Sequence, residues 1–183
     1  VEKIDGKPVA FERFDPRALS TDAGTFQYKG GGDADGVTER LRYVSEWDAT
    51  ASGKAFVWER NDGHLFVADG HQRLGLARRL IDEGQQGIAI DGFRFREADG
   101  WSAGDVRALA AKKNLQEGSG DALDAARILR ERPDILDGKL PVTGPMMKTA
   151  IALSRLSDEA FGAALNGIIP PNHAAAIGAM VPD

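Results

Sequence analysis

A chain of 183 residues with 42% hydrophobic and 28% charged side chains has the composition of an ordinary soluble globular protein, enough for one large domain or two small ones. It has no cysteine, which excludes disulfides, thiolate catalysis and Cys-ligated zinc, and no apolar run of membrane-spanning length. A formal net charge of -5 argues against broad, non-specific nucleic-acid binding, so any DNA contact has to be focused, ligand-gated or supplied by other parts of the protein.

In chain order, residues 1–20 contain Pro8 and Pro16 as breakers and predict one short strand around Val9-Ala10-Phe11. The start, Val1-Glu2-Lys3-Ile4-Asp5, is not a signal peptide; the missing initiator Met and the abrupt Val181-Pro182-Asp183 end point to part of a longer polypeptide. Phe26-Gln27-Tyr28-Lys29 leads into Gly30-Gly31-Gly32-Asp33, which reads either as a plain flexible linker or as a lid beside a ligand. Val37 to Trp47 predicts a short amphipathic helix with Val37, Leu41 and Val44 on one face. Ala55–Glu59 and Leu65–Ala68 predict a β-hairpin turning at Asn61-Asp62-Gly63. A helix follows from about residue 71 to Glu83, and Gly87–Ile90 and Phe93–Arg96 predict two further strands.

From Ser102 the pattern becomes helical. Ser102-Ala103-Gly104-Asp105 caps a helix to about Leu115, a second spans about Asp121 to Glu131 before Pro133, and a third follows Gly144-Pro145 to about Leu156. Two short helices, Asp158–Asn166 and Asn172–Met180, close the chain. The fold class is therefore α+β, with a mixed front half meeting an all-helical back half near residues 117–120.

The most informative stretch is Asp69-Gly70-His71-Gln72-Arg73, where a strand stops at an Asp-Gly turn and a helix starts at once. Glycine lets backbone approach a ligand, the first N–H groups of a helix attract anions, and Arg73 adds a fixed cationic fork suited to phosphate. No Walker sequence occurs, so this is a different kind of phosphate loop. The plainer reading is ordinary loop chemistry, with Arg73, Arg78 and Arg79 as a solvated basic flank. A second element, Lys112-Lys113-Asn114-Leu115-Gln116-Glu117, offers an amide oxygen for a hard cation and lysines for phosphate, a combination suited to a Mg²⁺–nucleotide; equally, Asn114 can cap a helix end and the lysines can be solvated. Of the three histidines, His64 and His173 read as surface or capping residues, while His71 can contact phosphate or act as a general acid or base. Trp47, Trp58 and Trp101 read as core or interface residues.

Taken in order, these elements resemble the ParB/sulfiredoxin-like superfamily, in which a strand leads into a Gly-x-x-Arg helix start. Asp69-Gly70-His71-Gln72-Arg73-Leu74 matches the Asp-Gly-His-x-Arg form of that start, and Phe26-Gln27-Tyr28-Lys29 is similar to the upstream Gln-Pro-Arg-type box. Lys113-Asn114-Leu115-Gln116-Glu117 followed by Asp121-Ala122-Leu123-Asp124-Ala125-Ala126 resembles the downstream Glu-Asn-Leu-Gln-Arg box and its helix. Leu153-Ser154-Arg155-Leu156, Asn166-Gly167-Ile168-Ile169 and His173-Ala174-Ala175 continue the order, and the variant as a whole is similar to ParB-like domains of large phage and plasmid proteins.

The resemblance implies a ParB/sulfiredoxin-like nucleotide-binding domain over residues 1–118 and a helix-turn-helix-like domain over 119–183. It implies a nucleoside triphosphate, CTP first and ATP second, bound with Mg²⁺, and a DNA-associated switch or clamp that works as a homodimer in the cytoplasm, encoded by a bacterial host or a phage. Asp69, Gly70, His71, Gln72, Arg73, Lys113 and Asn114 would hold the phosphates, Asn114 would also ligate Mg²⁺, and Gln27 with His71 would serve slow hydrolysis. Lys148 and Arg155 would be the DNA contacts of a recognition helix otherwise poor in base-reading side chains. Lys113 stands where the family has an acidic residue tied to hydrolysis, Glu117 where it has Arg, and the cysteine that sulfiredoxin chemistry needs is absent. Two other readings stay open: a metal-dependent nuclease using Asp33, Asp35 and Asp69, or a structural domain of a larger protein.

Overall fold

The computed structural model describes residues 2–26, 39–117, 121–136 and 144–181. The chain divides into two compact units, Val1–Ala110 and Ala111–Asp183.

The first unit is built on a six-stranded mixed sheet, with two one-turn helices, α1 (Ala23–Phe26) and α2 (Glu39–Arg42), before its central hairpin. Its strands are β1 (Glu2–Ile4), β2 (Lys7–Phe14), β3 (Leu19–Ser20), β4 (Ala55–Glu59), β5 (Leu65–Asp69) and β6 (Ile90–Arg96), in the order β1-β2-β6-β4-β5-β3. The hairpin predicted from the alternation of residues 55–68 is present as the antiparallel pair β4–β5. Period-two alternation divides its side chains between two cores, as a strand buried on both faces requires. Ala55, Val57 and Val67 join Phe14, Leu19, Ile90 and the Leu74–Ala77 face of helix α3 (His71–Asp82) on one side of the sheet. Trp58 and Ala68 join Val9, Phe26, Phe95, Trp101, Val106 and Ala110 on the other, where the first two turns of helix α4 (Ala103–Gln116) pack.

Three expectations need correction. One strand, Ile90–Arg96, stands where two were expected over 87–96, and residues 87–89 are outside it: the backbone runs extended through Asp91-Gly92, because Gly92 lies beside β4 where a Cβ would come within 2.6 Å of the Ala55 carbonyl oxygen. An apparent turn glycine is in fact a close-approach glycine. The helix expected to reach Trp47 ends at Arg42, leaving Glu39–Arg42 as its described helical residues, with 37 and 38 outside them. The Arg79 guanidinium, not a further helical turn, takes the Leu41 and Val44 carbonyls, at 3.3 and 2.6 Å. Arg78 and Arg79 are accordingly no basic patch: Arg78 donates to the carbonyls of Pro16 and Leu19, and both arginines fasten loops to α3.

The second unit is helical. α5 (Ala122–Glu131) begins with a capping box in which Asp121 accepts from the Asp124 amide at 2.8 Å. α6 (Pro145–Ser154), α7 (Asp158–Leu165) and α8 (Pro171–Ala179) follow close to their predicted limits. The core of this unit includes Ala125, Ile128, Leu129, Met147, Ala150, Leu153, Phe161 and Ala174. Arg130 lies over the Phe161 ring and donates to the Ser154 and Leu156 carbonyls and to Asp158, holding α5 to the α6–α7 turn. No helix among the described residues is long and apolar enough to cross a membrane.

Candidate anion-binding site

The Asp69–Arg73 turn sits where β5 stops and α3 starts, at the open end of the β4–β5 hairpin. The hairpin register shifts between Phe56 and Val57, so that Phe56 faces Asp69 while Val57 faces Val67. A bulge at this point re-aims the end of the strand toward the helix start. Gly70 then takes φ 111°, a left-handed conformation that only glycine adopts without strain, and its carbonyl accepts the first helical bond from Leu74 at 3.0 Å. Space also demands glycine here, because a Cβ on Gly70 would meet the Ala55 Cβ at 3.2 Å and Arg73 Nη1 at 3.5 Å.

The N-terminus of α3 is uncapped, as are those of α6 and α8, but it alone of the three places an arginine at the third helical position. Gly70 has no side chain to cap the first N–H groups, and no acidic residue lies in the first turn. By contrast, Asp121 caps α5, and Ser157 with Asp158 and Glu159 serves α7. At α3 the third helical position is Arg73, so the positive helix end carries a positive side chain in place of the usual carboxylate. Arg73 Nη2 lies 3.9 Å from the Asp69 carboxylate, and the side chain is 23% exposed. Its Nη1 is buried and makes no hydrogen bond, and the same is true of His71 Nε2. Two orphaned nitrogens two residues apart in sequence are costly in a folded interior, and an anion is the natural partner for both. A third element bounds the group: Gly53, at φ 63°, where a Cβ would touch the Arg73 guanidinium at 3.7 Å. Nothing in the sequence pattern marked Gly53, which is separated from Arg73 by the whole hairpin.

Burial pushes the His71 pKa below its ordinary value, with the Asp69 carboxylate opposing the shift, so the imidazole is neutral at pH 7. The unfolded chain takes up this proton near pH 6.5, while the folded chain resists until a lower pH. Stability from this group is therefore complete above about pH 6.5 and is lost as pH falls toward the depressed folded value. Urea denaturation between about pH 5 and about pH 7.5 is expected to show stability rising with pH, with a shallower rise in His71→Asn. Equal slopes for the two proteins would refute this account.

The other predicted site residues are distributed as follows. Gln72 is exposed on α3. Lys113 and Asn114 are half-buried on α4 beyond Ala110, in the second unit, with Lys113 Nζ 3.5 Å from Glu117. Lys148 and Arg155 are exposed, in α6 and at its C-terminal cap, and α6 buries Met147, Ala150 and Leu153. Gln27, Asp33 and Asp35 lie outside the described residues. His64 and His173 are exposed, and His64 Nδ1 approaches Asp62 at 3.1 Å. Among the described residues, no three His, Cys, Asp or Glu side chains gather to hold a metal.

With this geometry in view, the fold can be compared with solved structures. The chain is similar to the C-terminally truncated chromosome-partitioning protein ParB from Caulobacter crescentus complexed to the centromeric parS site. The TM-score is 0.53 over 93% of this chain and 86% of that one, at 15% sequence identity. This chain has a ParB-like fold. The same Caulobacter ParB complexed with CTP-gamma-S gives a weaker likeness, TM-score 0.35 and 14% identity over 94% of this chain and 93% of that one. No family model and no curated protein matches the sequence. At such identities the ParB-like fold is established by architecture, and the function has to be argued from the site.

Proposed function

We propose that this protein is a nucleotide-binding module of ParB-like fold that takes a nucleoside triphosphate, CTP first, at the start of α3 and acts as a DNA-associated switch or clamp component. The observation that carries the reading is the uncapped α3 N-terminus with buried, unpartnered His71 Nε2 and Arg73 Nη1 beside left-handed Gly70. The main-chain N–H groups of the first turn bind phosphate oxygens, Arg73 supplies the fixed charge, and Asp69 steadies Arg73 from behind. His71, neutral before binding, gains a hydrogen-bond partner when a phosphate arrives.

Mg²⁺ would arrive held mainly by the triphosphate, since the described residues gather no carboxylate cage; the predicted protein ligand is the Asn114 amide oxygen. When bound, the ion neutralises charge on the terminal phosphates. In this reading residues 1–118 form the nucleotide domain, with roles proposed from the motifs alone for Lys113 and Asn114 on the phosphates and for Gln27 in hydrolysis. Residues 119–183 form the helix-turn-helix-like part, with Lys148 and Arg155 as focused DNA contacts on an otherwise acidic protein that pairs with a second copy. The ParB of similar fold was captured on parS DNA, which supports a DNA-associated role by analogy of architecture.

The test is thermal shift and calorimetry with CTP, ATP and GTP plus Mg²⁺. A nucleotide at 100 times its Kd is expected to stabilise the protein by about 2.7 kcal/mol, and Arg73→Ala is expected to abolish that gain. A flat response to all three nucleotides sinks the proposal.

A further inference from the structure

We infer that Gly53 is a positioning residue for Arg73, and that the Asp48–Gly53 turn forms the second wall of the anion site. The inference rests on the anion-binding reading of α3 and adds a segment that no motif marks.

The turn is rigid by its own bonding. The Asp48 carboxylate accepts from the Thr50 amide at 2.8 Å, the Thr50 hydroxyl at 2.6 Å and the Ala51 amide at 3.2 Å. The Ser52 amide donates to the Asp48 carbonyl at 3.0 Å, and the Ser52 hydroxyl to the Ala49 carbonyl at 3.0 Å. This network delivers Gly53 to the guanidinium at φ 63°, where its missing Cβ would sit 3.7 Å from both Cζ and Nη2 and 3.9 Å from Nη1. Gly70 borders Nη1 from the helix side, and Asp69 approaches Nη2 at 3.9 Å. The guanidinium is thus bordered by two bare backbones and one carboxylate, all carried by the β4–β5 hairpin and its flanks. A planar fork held in this way keeps one orientation, so less entropy is lost when it grips a phosphate. A Cβ at position 53 would itself fit in ordinary van der Waals contact, so it is the atoms beyond Cβ, as in asparagine, that would press on the guanidinium, turn its plane and misdirect Nη1.

Gly53→Asn tests this, because asparagine tolerates positive φ and so adds bulk with little backbone strain. Gly87→Asn is the control: φ is 74° there and nothing lies within 4 Å of the added Cβ. Binding of CTP with Mg²⁺ is measured by calorimetry, with melting temperature as the structural readout. Gly53→Asn is expected to weaken binding about tenfold, the scale of one charge-assisted hydrogen bond, while melting like Gly87→Asn. In an Arg73→Lys background, which has no guanidinium to turn, Gly53→Asn is expected to add less than about a twofold loss. Unchanged affinity in Gly53→Asn, or a full additional loss in the Arg73→Lys background, overturns the positioning role and leaves the nucleotide reading intact. Failure of the wild-type protein to bind any of CTP, ATP and GTP overturns both.

Discussion

Gly178→Ala is expected to destabilise the helical unit by about 3 kcal/mol, against the normal preference of a helix for alanine. In an exposed helix this substitution would stabilise by roughly 1 kcal/mol. Here a Cβ on Gly178 would stand 1.9 Å from the Ala152 carbonyl oxygen and 2.6 Å from its carbonyl carbon. Both are main-chain atoms inside α6, so no side chain can rotate away and the helices themselves must part. Overpacking commonly costs about 1–3 kcal/mol, and a backbone clash this deep belongs at the upper end. Gly178 and Ala174 form the small, buried face of α8, and Met147, Ala150 and Leu153 are the buried residues of α6. Separating the two helices therefore exposes apolar surface in addition to the local strain. Urea denaturation followed by far-UV circular dichroism measures the effect, and a variant as stable as the wild type would show that α6 and α8 do not cross this closely.

Trp101→Ala should cost the sheet-containing unit about 3–5 kcal/mol, the range for emptying a large aromatic site. Trp101 is 2% exposed, its ring meets Phe95 edge-on with centroids 5.0 Å apart, and Lys7 Nζ lies 4.8 Å from the ring centroid. Its indole N–H donates to the Pro8 carbonyl at 2.9 Å, and its own carbonyl accepts from the Trp58 indole at 2.8 Å. Deletion thus leaves a void and orphans a carbonyl of β2. Trp101→Phe keeps most of the volume and loses the donor, so its expected cost is nearer 1–2 kcal/mol. The three tryptophans of the chain all lie in the first unit, which makes their emission a specific reporter of its unfolding. Equal midpoints for Trp101→Ala and Trp101→Phe would contradict this account.

The parts of the structure legible in the sequence are those governed by local rules. Alternation placed β4 and β5, Asp-Gly marked the entry to α3, Ser102 and Asp121 marked the starts of α4 and α5, and Pro145 the start of α6. The same residues suggested the ParB-like order of elements, which the architecture bears out. The failures at Gly92 and Arg79 have one cause: a residue whose role is set by a distant neighbour. Asp91-Gly92 has the composition of a turn, yet Gly92 is there for the backbone of Ala55, 37 positions earlier. Arg79 looks like surface charge until its partners, the carbonyls of Leu41 and Val44, are in place. β3 has only two residues, too few for any periodicity to declare itself. At the candidate site, Asp69 to Arg73 could be named from the sequence because one contiguous motif carries them. Gly53 could not, because what fixes it is the guanidinium on the far side of a hairpin.

Gly53 and Gly70 flank the two ends of one hairpin, β4 and β5, and the turn at Asn61–Gly63 lies at the opposite end. Strand register and site geometry are consequently a single variable. A slip of one residue between β4 and β5 would turn every inward side chain outward and, in the same movement, carry Gly53 away from Arg73. An anion clasped between the two ends would act as a peg through paired straps, opposing shear between the strands. Length changes at the distal turn would leave the clasp untouched, so this fold can vary its loop tip freely while keeping the mouth of the hairpin invariant.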